Sequence, residues 1–262
     1  MRSCEFLINE PQSTSAKAIL NAMRSNPPVT SRVSKRYVGH CDMLMLWGYG
    51  RPENVDAVSR HVRRGRRAIC WDFGYFGRSH RCGYFRMSID HWHPQGWLDA
   101  TSPHPERWAA HNIEVEDRYD ENGPIILVGM GPKSHALLKS SGWEEKKYAE
   151  LRDRFPDRKI IFRPKPGRPA PAVQCRHDSR PISSVLSGAS LVVCKHSNVA
   201  VEATVLGIPS ECEDGAAMWL AGKPFTKETR LDFLRRLCWW QWLPSESKDC
   251  WKFILRTIAH EN

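Results

Sequence analysis

Short apolar runs alternate with amphipathic stretches along the chain, and this alternation predicts strands followed by helices. In the first half, the pattern predicts strands near 5–8, 42–47 and 67–72, helices near 14–24 and 53–64, and a hairpin strand at 82–90. Strands and helices in alternation are typical of an α/β fold with mainly parallel sheets.

The segment DENGPIILVGMGPKS, residues 120–134, starts the alternation again with a turn, a buried strand and a glycine-rich exit. Beyond it, the pattern predicts strands at 159–163, 190–194 and 209–212, helices at 143–154, 181–187 and 197–206, and a helical tail at 226–257. We therefore expect two Rossmann-like lobes with a cleft between them: an N-terminal lobe over 1–120 and a C-terminal lobe over 121–225. A tail over 226–262 is expected to pack across both.

Composition bounds the class of protein. The chain has 262 residues, of which 41% are hydrophobic and 26% are charged, as is ordinary for a soluble globular protein. It contains no apolar run of the roughly 20 residues that span a bilayer, and residues 1–12 lack the apolar core and cleavage site expected of a signal peptide. Nine cysteines without a C-x-x-C pair predict reduced thiols rather than disulfides or a zinc site. A cytoplasmic protein that does not bind membranes is expected.

The formal net charge of +10 points to an anionic partner such as nucleic acid or a phosphate-bearing ligand, although scattered basic residues are also typical of a solvated surface. Basic residues cluster in four segments: RHVRRGRR (60–67), RSHRCGYFR (78–86), RFPDRKIIFRPKPGR (154–168) and RLDFLRR (230–236). Aromatic residues available for stacking on bases or sugars lie near the second cluster: Tyr75, Phe76, Tyr84, Phe85, Trp92 and Trp97.

The segment CKHSNVAVEATVLGIPSECEDG, residues 194–215, carries the clearest chemistry. Residues 195–198, which we call the elbow, leave the carboxyl end of a predicted strand, where ligands bind in open α/β sheets. His196, Ser197 and Asn198 are therefore candidates for contacts with a phosphate at the start of the next helix. Glu202, in that helix, could accept both hydroxyls of a ribose. An ordinary helix cap with a surface histidine is the alternative interpretation.

The segment IIFRPKPG ends a neighbouring predicted strand with two cations. The prolines on each side of Lys165 hold the backbone extended, so Arg163 and Lys165 are expected to be presented at a fixed place. Fixed cations suit the diphosphate of a leaving group without a metal ion. Gly129, in the glycine-rich exit, completes the predicted donor-binding residues.

These segments resemble the donor-binding lobe of GT-B glycosyltransferases. The resemblance rests on R-P-x-P followed by H-S-N-x-x-V-E-A-x-x-x-G-I-P, carried by Arg163, Pro164, Pro166, Ser197, Asn198, Glu202, Ala203, Gly207, Ile208 and Pro209. More narrowly, DFGYFGR (72–78), ILVGMGP (126–132) and RLDFLRRLCWWQW (230–242) resemble a group of bacteriophage-encoded GT-B-like proteins, which departs from this chain at GMGPKS and KHSN.

The resemblance implies an enzyme that glycosylates hydroxymethylated pyrimidines in phage DNA, either 5-hydroxymethyluracil or 5-hydroxymethylcytosine. The implied donor is a nucleoside-diphosphate sugar, in the first place UDP-glucose, and no other cofactor is expected. No D-x-D motif is present, so we expect activity without a divalent metal.

Such a transfer needs a base from the N-terminal lobe. Asp72 follows a predicted strand and is our candidate, although it could simply cap a turn. Arg78, Tyr75 and Arg86 are the candidates for binding the acceptor. The weaker candidates for the base are His40, His80, His91 and His93, with Asp90 and Glu213 in reserve.

Two other functions fit the same sequence. A transferase for surface polysaccharide or a teichoic-type polymer would share the donor lobe and would be expected to use the amphipathic tail at a membrane. A DNA-binding protein without catalysis could keep the lobe as a scaffold.

Overall fold

The computed structural model of the chain describes residues 3–8, 13–76, 83–169 and 171–259. The strands, in chain order, are β1 (Ser3–Leu7), β2 (Thr30–Ser34), β3 (Met43–Trp47), β4 (Arg67–Phe73), β5 (Phe85–Ile89), β6 (Ile125–Val128), β7 (Ile160–Arg163), β8 (Arg176–His177), β9 (Leu191–Cys194), β10 (Ser210–Cys212) and β11 (Gln241–Trp242). The helices are α1 (Thr14–Ser25), α2 (Pro52–Val62), α3 (Pro105–Ala109), α4 (Pro132–Leu138), α5 (Trp143–Arg154), α6 (Ile182–Leu186), α7 (Val199–Val205), α8 (Lys227–Leu237) and α9 (Ser247–Ala259).

The chain forms two compact units. The first comprises Met1–Pro94 and Cys238–Asn262, and the second comprises Gln95–Leu237. The sequence pattern places the division near residue 120 instead. Residues 95–120 join the second unit because their backbone bonds there; for example, the Glu116 and Arg118 N–H groups donate to the carbonyls of Val205 and Leu206, both at 2.8 Å.

The first unit is built on a six-stranded sheet with the order β11-β5-β4-β3-β1-β2. β1 to β4 pair in parallel, whereas β5 is antiparallel to β4 and to β11. The run Met43–Trp47 is apolar throughout, and all of its residues except the last, Trp47, are buried. This is expected for a central strand covered on both faces. The strand order reverses between β1 and β3.

The second unit is built on a five-stranded sheet with the order β10-β9-β6-β7-β8, in which every pair is parallel. The chain runs from β6 through β7 to β8 on one side and then returns to β9 and β10 on the other. The strand order therefore reverses at β6, between its neighbours β7 and β9. Together, the two units confirm the α/β class and the two Rossmann-like sheets that the sequence predicts.

The tail differs from the single amphipathic segment that the sequence predicts. α8 ends at Leu237 within the second unit, and α9 belongs to the first. Between them, Gln241 and Trp242 form β11, which pairs with Arg86 and Phe85 of β5. None of the helices in the described parts of the chain is long and apolar enough to cross a membrane.

Candidate functional site

Three neighbouring strands of the second unit end at the same level. Val128 of β6 is paired with Arg163 of β7 and with Cys194 of β9. The loops that begin at Gly129, Pro164 and Lys195 therefore leave the same edge of the sheet. Ligands in doubly wound folds bind outside the carboxyl ends of the strands where the strand order reverses, so this edge is the candidate site.

Two glycines bring the loop after β6 close to the end of β7. The Gly129 N–H donates to the Arg163 carbonyl at 2.9 Å, and a Cβ on Gly129 would lie 2.7 Å from the Phe162 ring. A Cβ on Gly131 would lie 3.7 Å from Cγ of Lys165. The close approach at Gly129 thus requires glycine, and Gly129 and Lys165 both lie in loops that leave this edge of the sheet.

The two cations at the end of β7 do not form the presented pair that the sequence predicts. Arg163 is only 6% exposed, and its Nη1 donates to the carbonyl of Pro164. It is buried because all four residues of β7 lie inside a sheet that is covered on both faces. Lys165 is exposed, so it is the cation of this pair that the loop presents to solvent.

The elbow leads into a short helix. Ser197 Oγ accepts a hydrogen bond from the Val199 N–H at 3.2 Å, whereas Asn198 already has helical backbone angles and makes no side-chain cap. Glu202 is half-buried in the first turn of α7. The elbow, with Glu202 in the first turn of the helix that follows it, thus comes directly after β9, whose end is level with the ends of β6 and β7.

A carboxylate joins the elbow to two other segments. Glu213, which follows β10, lies 2.8 Å (Oε1) from Lys147 Nζ and 3.0 Å (Oε2) from Lys195 Nζ, and it accepts a hydrogen bond from Trp143 Nε1 at 2.9 Å. Burial would raise the pKa of Glu213, but the two lysines and the indole lower it below its ordinary value. A carboxylate with a lowered pKa accepts a proton less readily, so Glu213 is poorly suited to be the reserve base.

A second carboxylate, not identified from the sequence, supports the loop after β6. Glu144 is fully buried, and its Oε1 accepts a hydrogen bond from the Met130 N–H at 2.8 Å. His135 Nε2 lies 3.1 Å from the same oxygen, and His135 Nδ1 donates to the carbonyl of Ser140 at 3.0 Å. Glu144 therefore fixes the backbone between Gly129 and Gly131.

In the first unit, Asp72 belongs to a polar network on β4 and β5. Asp72 Oδ2 lies 2.9 Å from Arg86 Nη2, and Asp72 Oδ1 accepts a hydrogen bond from the Phe73 N–H. Burial lowers the pKa of Arg86, but the Asp72 carboxylate and Tyr75 more than reverse this and raise it above its ordinary value. Arg86 Nη1 also lies 2.9 Å from His93 Nδ1. Since arginine only donates, Nδ1 accepts, and His93 is a neutral imidazole.

The same network buries two of the proposed acceptor-binding side chains. Tyr75 is 3% exposed, its hydroxyl lies 3.2 Å from His93 Nδ1, and its backbone N–H donates to Gln241 Oε1 at 2.7 Å. Arg86 is also mostly covered, with 11% of its side chain exposed. Phe76, Phe85 and Trp97 are likewise buried, so these rings form core rather than stacking surfaces. Arg78, His80 and Arg81 lie outside the described residues.

The basic cluster at 60–67 lies at the opposite end of β4 from Asp72. Arg67 starts the strand and pairs with Asp90 at 2.7 Å, so the reserve base Asp90 is also at that end. Asp72 is five residues beyond Arg67 along the strand, which corresponds to a distance of roughly 16 Å. Arg63 and Arg64 are exposed there. The predicted phosphate contacts of this cluster are thus distant from the predicted base.

The sequence pattern did not point to the loop after β3, at the place where the strand order of the first unit reverses. Asn54 is 1% exposed, and its Nδ2 donates to the carbonyls of Trp47 and Gly48 at 2.9 and 2.8 Å. Gly48 has a φ of 78°, and a Cβ on Gly50 would lie 3.2 Å from the Trp92 ring. The spacing W-G-Y-G-R-P-E-N, with a buried asparagine at its end, was the available signal.

No protein-family model matches the chain, and no curated protein matches it. Among the solved structures that share its fold are two glycosyltransferases. One is KpsC of Thermosulfurimonas dismutans, titled a beta Kdo 2,4 transferase, with 13% identity and a TM-score of 0.55 over 93% of this chain and 93% of that chain. The other is KpsC of the same organism, titled a beta Kdo 2,7 transferase, with 16% identity and a TM-score of 0.55 over 93% and 92% of the two chains. At these identities, the likeness shows a shared fold, that of two glycosyltransferases.

Proposed function

We propose that this protein is a glycosyltransferase of the GT-B type that binds a nucleotide-activated sugar at the strand ends of the second unit. One observation carries the proposal: the strand order reverses at β6, at the edge that also gathers Gly129, Lys165 and the elbow. The fold likeness to two Kdo transferases over 93% of the chain supports it.

In this proposal, the donor phosphates lie against the elbow and Lys165. The loop after β6 lies at the same edge as the donor, and Glu144 holds its backbone in place through the Met130 N–H. Glu202 accepts the ribose hydroxyls. Arg163, being buried, is assigned to shaping the end of β7 rather than to direct contact. The donor that follows from the sequence resemblance is a UDP-hexose, with UDP-glucose first.

We further propose Asp72 as the base that accepts the proton of the acceptor hydroxyl. About a third of its side chain, 32%, is exposed, so the carboxylate is accessible. Arg86 fixes its orientation from one side, and the Phe73 N–H fixes it from the other. A base that is held in this way is positioned before the acceptor binds.

For the acceptor, we propose a carbohydrate of the kind found in surface polysaccharides. Two of the solved structures that share the fold are titled Kdo transferases, which favours a sugar acceptor over DNA. Hydroxymethylated pyrimidine in phage DNA is the second candidate. It is favoured by the net charge of +10 and by the exposed Arg63 and Arg64.

Mass spectrometry of products tests both acceptors in one design. The purified protein is incubated with a panel of UDP-sugars and activated Kdo, together with oligosaccharides or with hydroxymethylated DNA. A hexose or Kdo mass added to an oligosaccharide supports the first acceptor, and one added to the DNA nucleosides supports the second. If neither gains mass with any donor while DNA binds with a steep salt dependence, the protein is a non-catalytic DNA-binding protein. Activity that survives EDTA is expected, because Lys165 and the elbow supply the positive charge.

A further inference from the structure

Lys195 is the cation nearest in sequence to the proposed phosphate contacts, since it directly precedes His196. Its Nζ lies 3.0 Å from Glu213 Oε2 and 5.8 Å from the centre of the Trp143 ring. Lys147 reaches the other carboxylate oxygen of Glu213 but also pairs with Glu150 at 2.6 Å. Among the described residues, Glu213 is the one carboxylate that pairs with Lys195. The charge of Lys195 is thus balanced by a single residue.

The backbone holds Glu213 against the elbow. The Glu213 N–H donates to the Cys194 carbonyl at 3.2 Å, and the Asp214 N–H donates to the Lys195 carbonyl at 2.5 Å. A Cβ on Gly215 would lie 3.4 Å from Cα of His196. The loop after β10 therefore packs directly on the elbow, and the Glu213 carboxylate stays close to Lys195 whether or not a ligand is present.

The pair between Lys195 and Glu213 is not deeply buried. The two side chains are 20% and 37% exposed. Ion pairs of this kind contribute little to stability, because water competes for both partners. An anion that approaches the elbow with more than one negative charge can therefore replace the carboxylate as the partner of Lys195 at small cost.

We propose that Glu213 is an internal counter-ion that competes with the phosphates of the donor for Lys195, and that Lys195 is a phosphate ligand of the site. This inference rests on the proposed donor site. When the ligand binds, the Lys195 ammonium exchanges the Glu213 carboxylate for a phosphate oxygen. Glu213 retains Lys147 and the Trp143 indole. Glu213 thereby lowers the affinity of the empty site for stray anions and fixes the place of Lys195.

A double-mutant cycle measured with inorganic pyrophosphate and with UDP tests the exchange. The variants are Lys195→Met, Glu213→Gln and the double variant, with affinities measured by calorimetry at low salt. Glutamine keeps an oxygen for the Trp143 N–H but removes the charge. Lys146→Met is the matched control, because Lys146 precedes Lys147 on the same helix and is exposed. Thermal unfolding of each variant checks that it is folded.

We expect Lys195→Met to weaken pyrophosphate binding about fivefold or more, and Glu213→Gln to strengthen it about threefold, since it frees the lysine. In the Lys195→Met background, Glu213→Gln should change the affinity by less than about twofold, because the two residues act through one contact. Lys146→Met should leave the affinity unchanged.

Three results overturn the inference. The first is that Lys195→Met binds both ligands as tightly as the wild type does. The second is that Glu213→Gln has the same effect on affinity in both backgrounds, which shows general electrostatics rather than exchange at Lys195. In either case, wild-type binding of UDP still supports the donor site. If the wild type binds neither ligand, the donor site and the inference fail together.

Discussion

Asp72 and Arg86 are direct partners across β4 and β5, with Asp72 Oδ2 2.9 Å from Arg86 Nη2. The same guanidinium reaches His93 through its other terminal nitrogen. A partly exposed carboxylate is thus connected to a neutral, buried imidazole through one arginine. The connection orients Asp72 and also gives it a structural role. A test of catalysis must therefore separate the structural role of Asp72 from its proposed role as the base.

Asp72→Asn should abolish most turnover while donor binding persists. Asparagine has the same shape and still accepts from the Phe73 N–H, but it cannot take a proton. Since a positioned base contributes about 10²–10⁴-fold, kcat should fall by at least about 100-fold with little change in the KM for the donor. Steady-state kinetics with the acceptor that proves active provide the measurement.

Asp90→Asn is the matched control for that variant. Asp90 also pairs with an arginine, Arg67 Nη1 at 2.7 Å, but at the other end of β4. Both variants break one carboxylate–arginine pair in the same sheet, so their losses of stability should be similar. If both retain wild-type kcat, Asp72 is a structural partner of Arg86 and not the base.

The sequence predicted the central strands because each is a continuous apolar run, such as MLMLW in β3 and IILV in β6. It missed β2, whose residues TSRVS are polar and mostly exposed at the edge of the sheet. An edge strand forms through backbone hydrogen bonds with its neighbour, and the periodicity of side chains does not reveal such pairing.

The hydrogen-bond partners of the candidate site residues could not be predicted from the sequence for a similar reason. The backbone of Tyr75 is held by Gln241, which is 166 residues away in the sequence, and Glu213 is held by Trp143, which is 70 residues away. Local patterns correctly indicated which residues follow strands, and hence that Gly129, Lys165 and His196 share an edge. They did not indicate that Arg163 and Tyr75 are buried, because burial depends on what packs against them.

Gly129→Ala should destabilise the second unit. The added Cβ would lie 2.7 Å from the Phe162 ring, which is fully buried and cannot move away freely. Overpacking of this kind costs about 1–3 kcal/mol. Chemical denaturation should show a lower midpoint than in Gly96→Ala, the control, where the added Cβ would meet no atom within 4 Å. Equal denaturation midpoints for Gly129→Ala and Gly96→Ala would show that the loop after β6 can shift to accommodate the added Cβ at little cost.

Glu5→Gln should destabilise the first unit in a manner that depends on pH. Glu5 is fully buried in β1 and accepts hydrogen bonds from the side chains of Ser34 and Arg32 and from the backbone of Val38 and Gly39. Burial would raise the pKa of Glu5, but these donors lower it below its ordinary value. In the variant, an amide nitrogen would replace one oxygen and face hydrogen-bond donors. We therefore expect the free energy of unfolding to fall by about 2–4 kcal/mol near pH 7.

The sign of the pH dependence follows from the lowered pKa. The carboxylate contributes its full stability above the pKa of an unfolded glutamate, about 4.3, and loses it as the pH falls through the lower folded pKa. The difference in unfolding free energy between wild type and Glu5→Gln should therefore be constant between about pH 6 and 8 and narrow below about pH 4. Glu53→Gln, at an exposed position of α2, should show no such difference. A difference in unfolding free energy between wild type and Glu5→Gln that stays constant down to pH 3 would contradict the role assigned to the Glu5 carboxylate.

Glu202→Ala should weaken the binding of UDP without affecting that of inorganic pyrophosphate. Glu202 lies in the first turn of α7, which follows the elbow, and its proposed partners are the ribose hydroxyls, which pyrophosphate lacks. Loss of charge-assisted hydrogen bonds costs about 1.5–3 kcal/mol, which corresponds to a roughly 10- to 150-fold weaker Kd for UDP. Calorimetry with both ligands separates this role from a general effect of charge, because removal of a negative charge alone would strengthen the binding of both ligands.

Glu145→Ala, at an exposed position of α5 in the same unit, is the control and should bind both ligands as the wild type does. Unchanged affinity of Glu202→Ala for UDP would remove Glu202 from the site and leave the elbow and Lys165 as its phosphate-binding part.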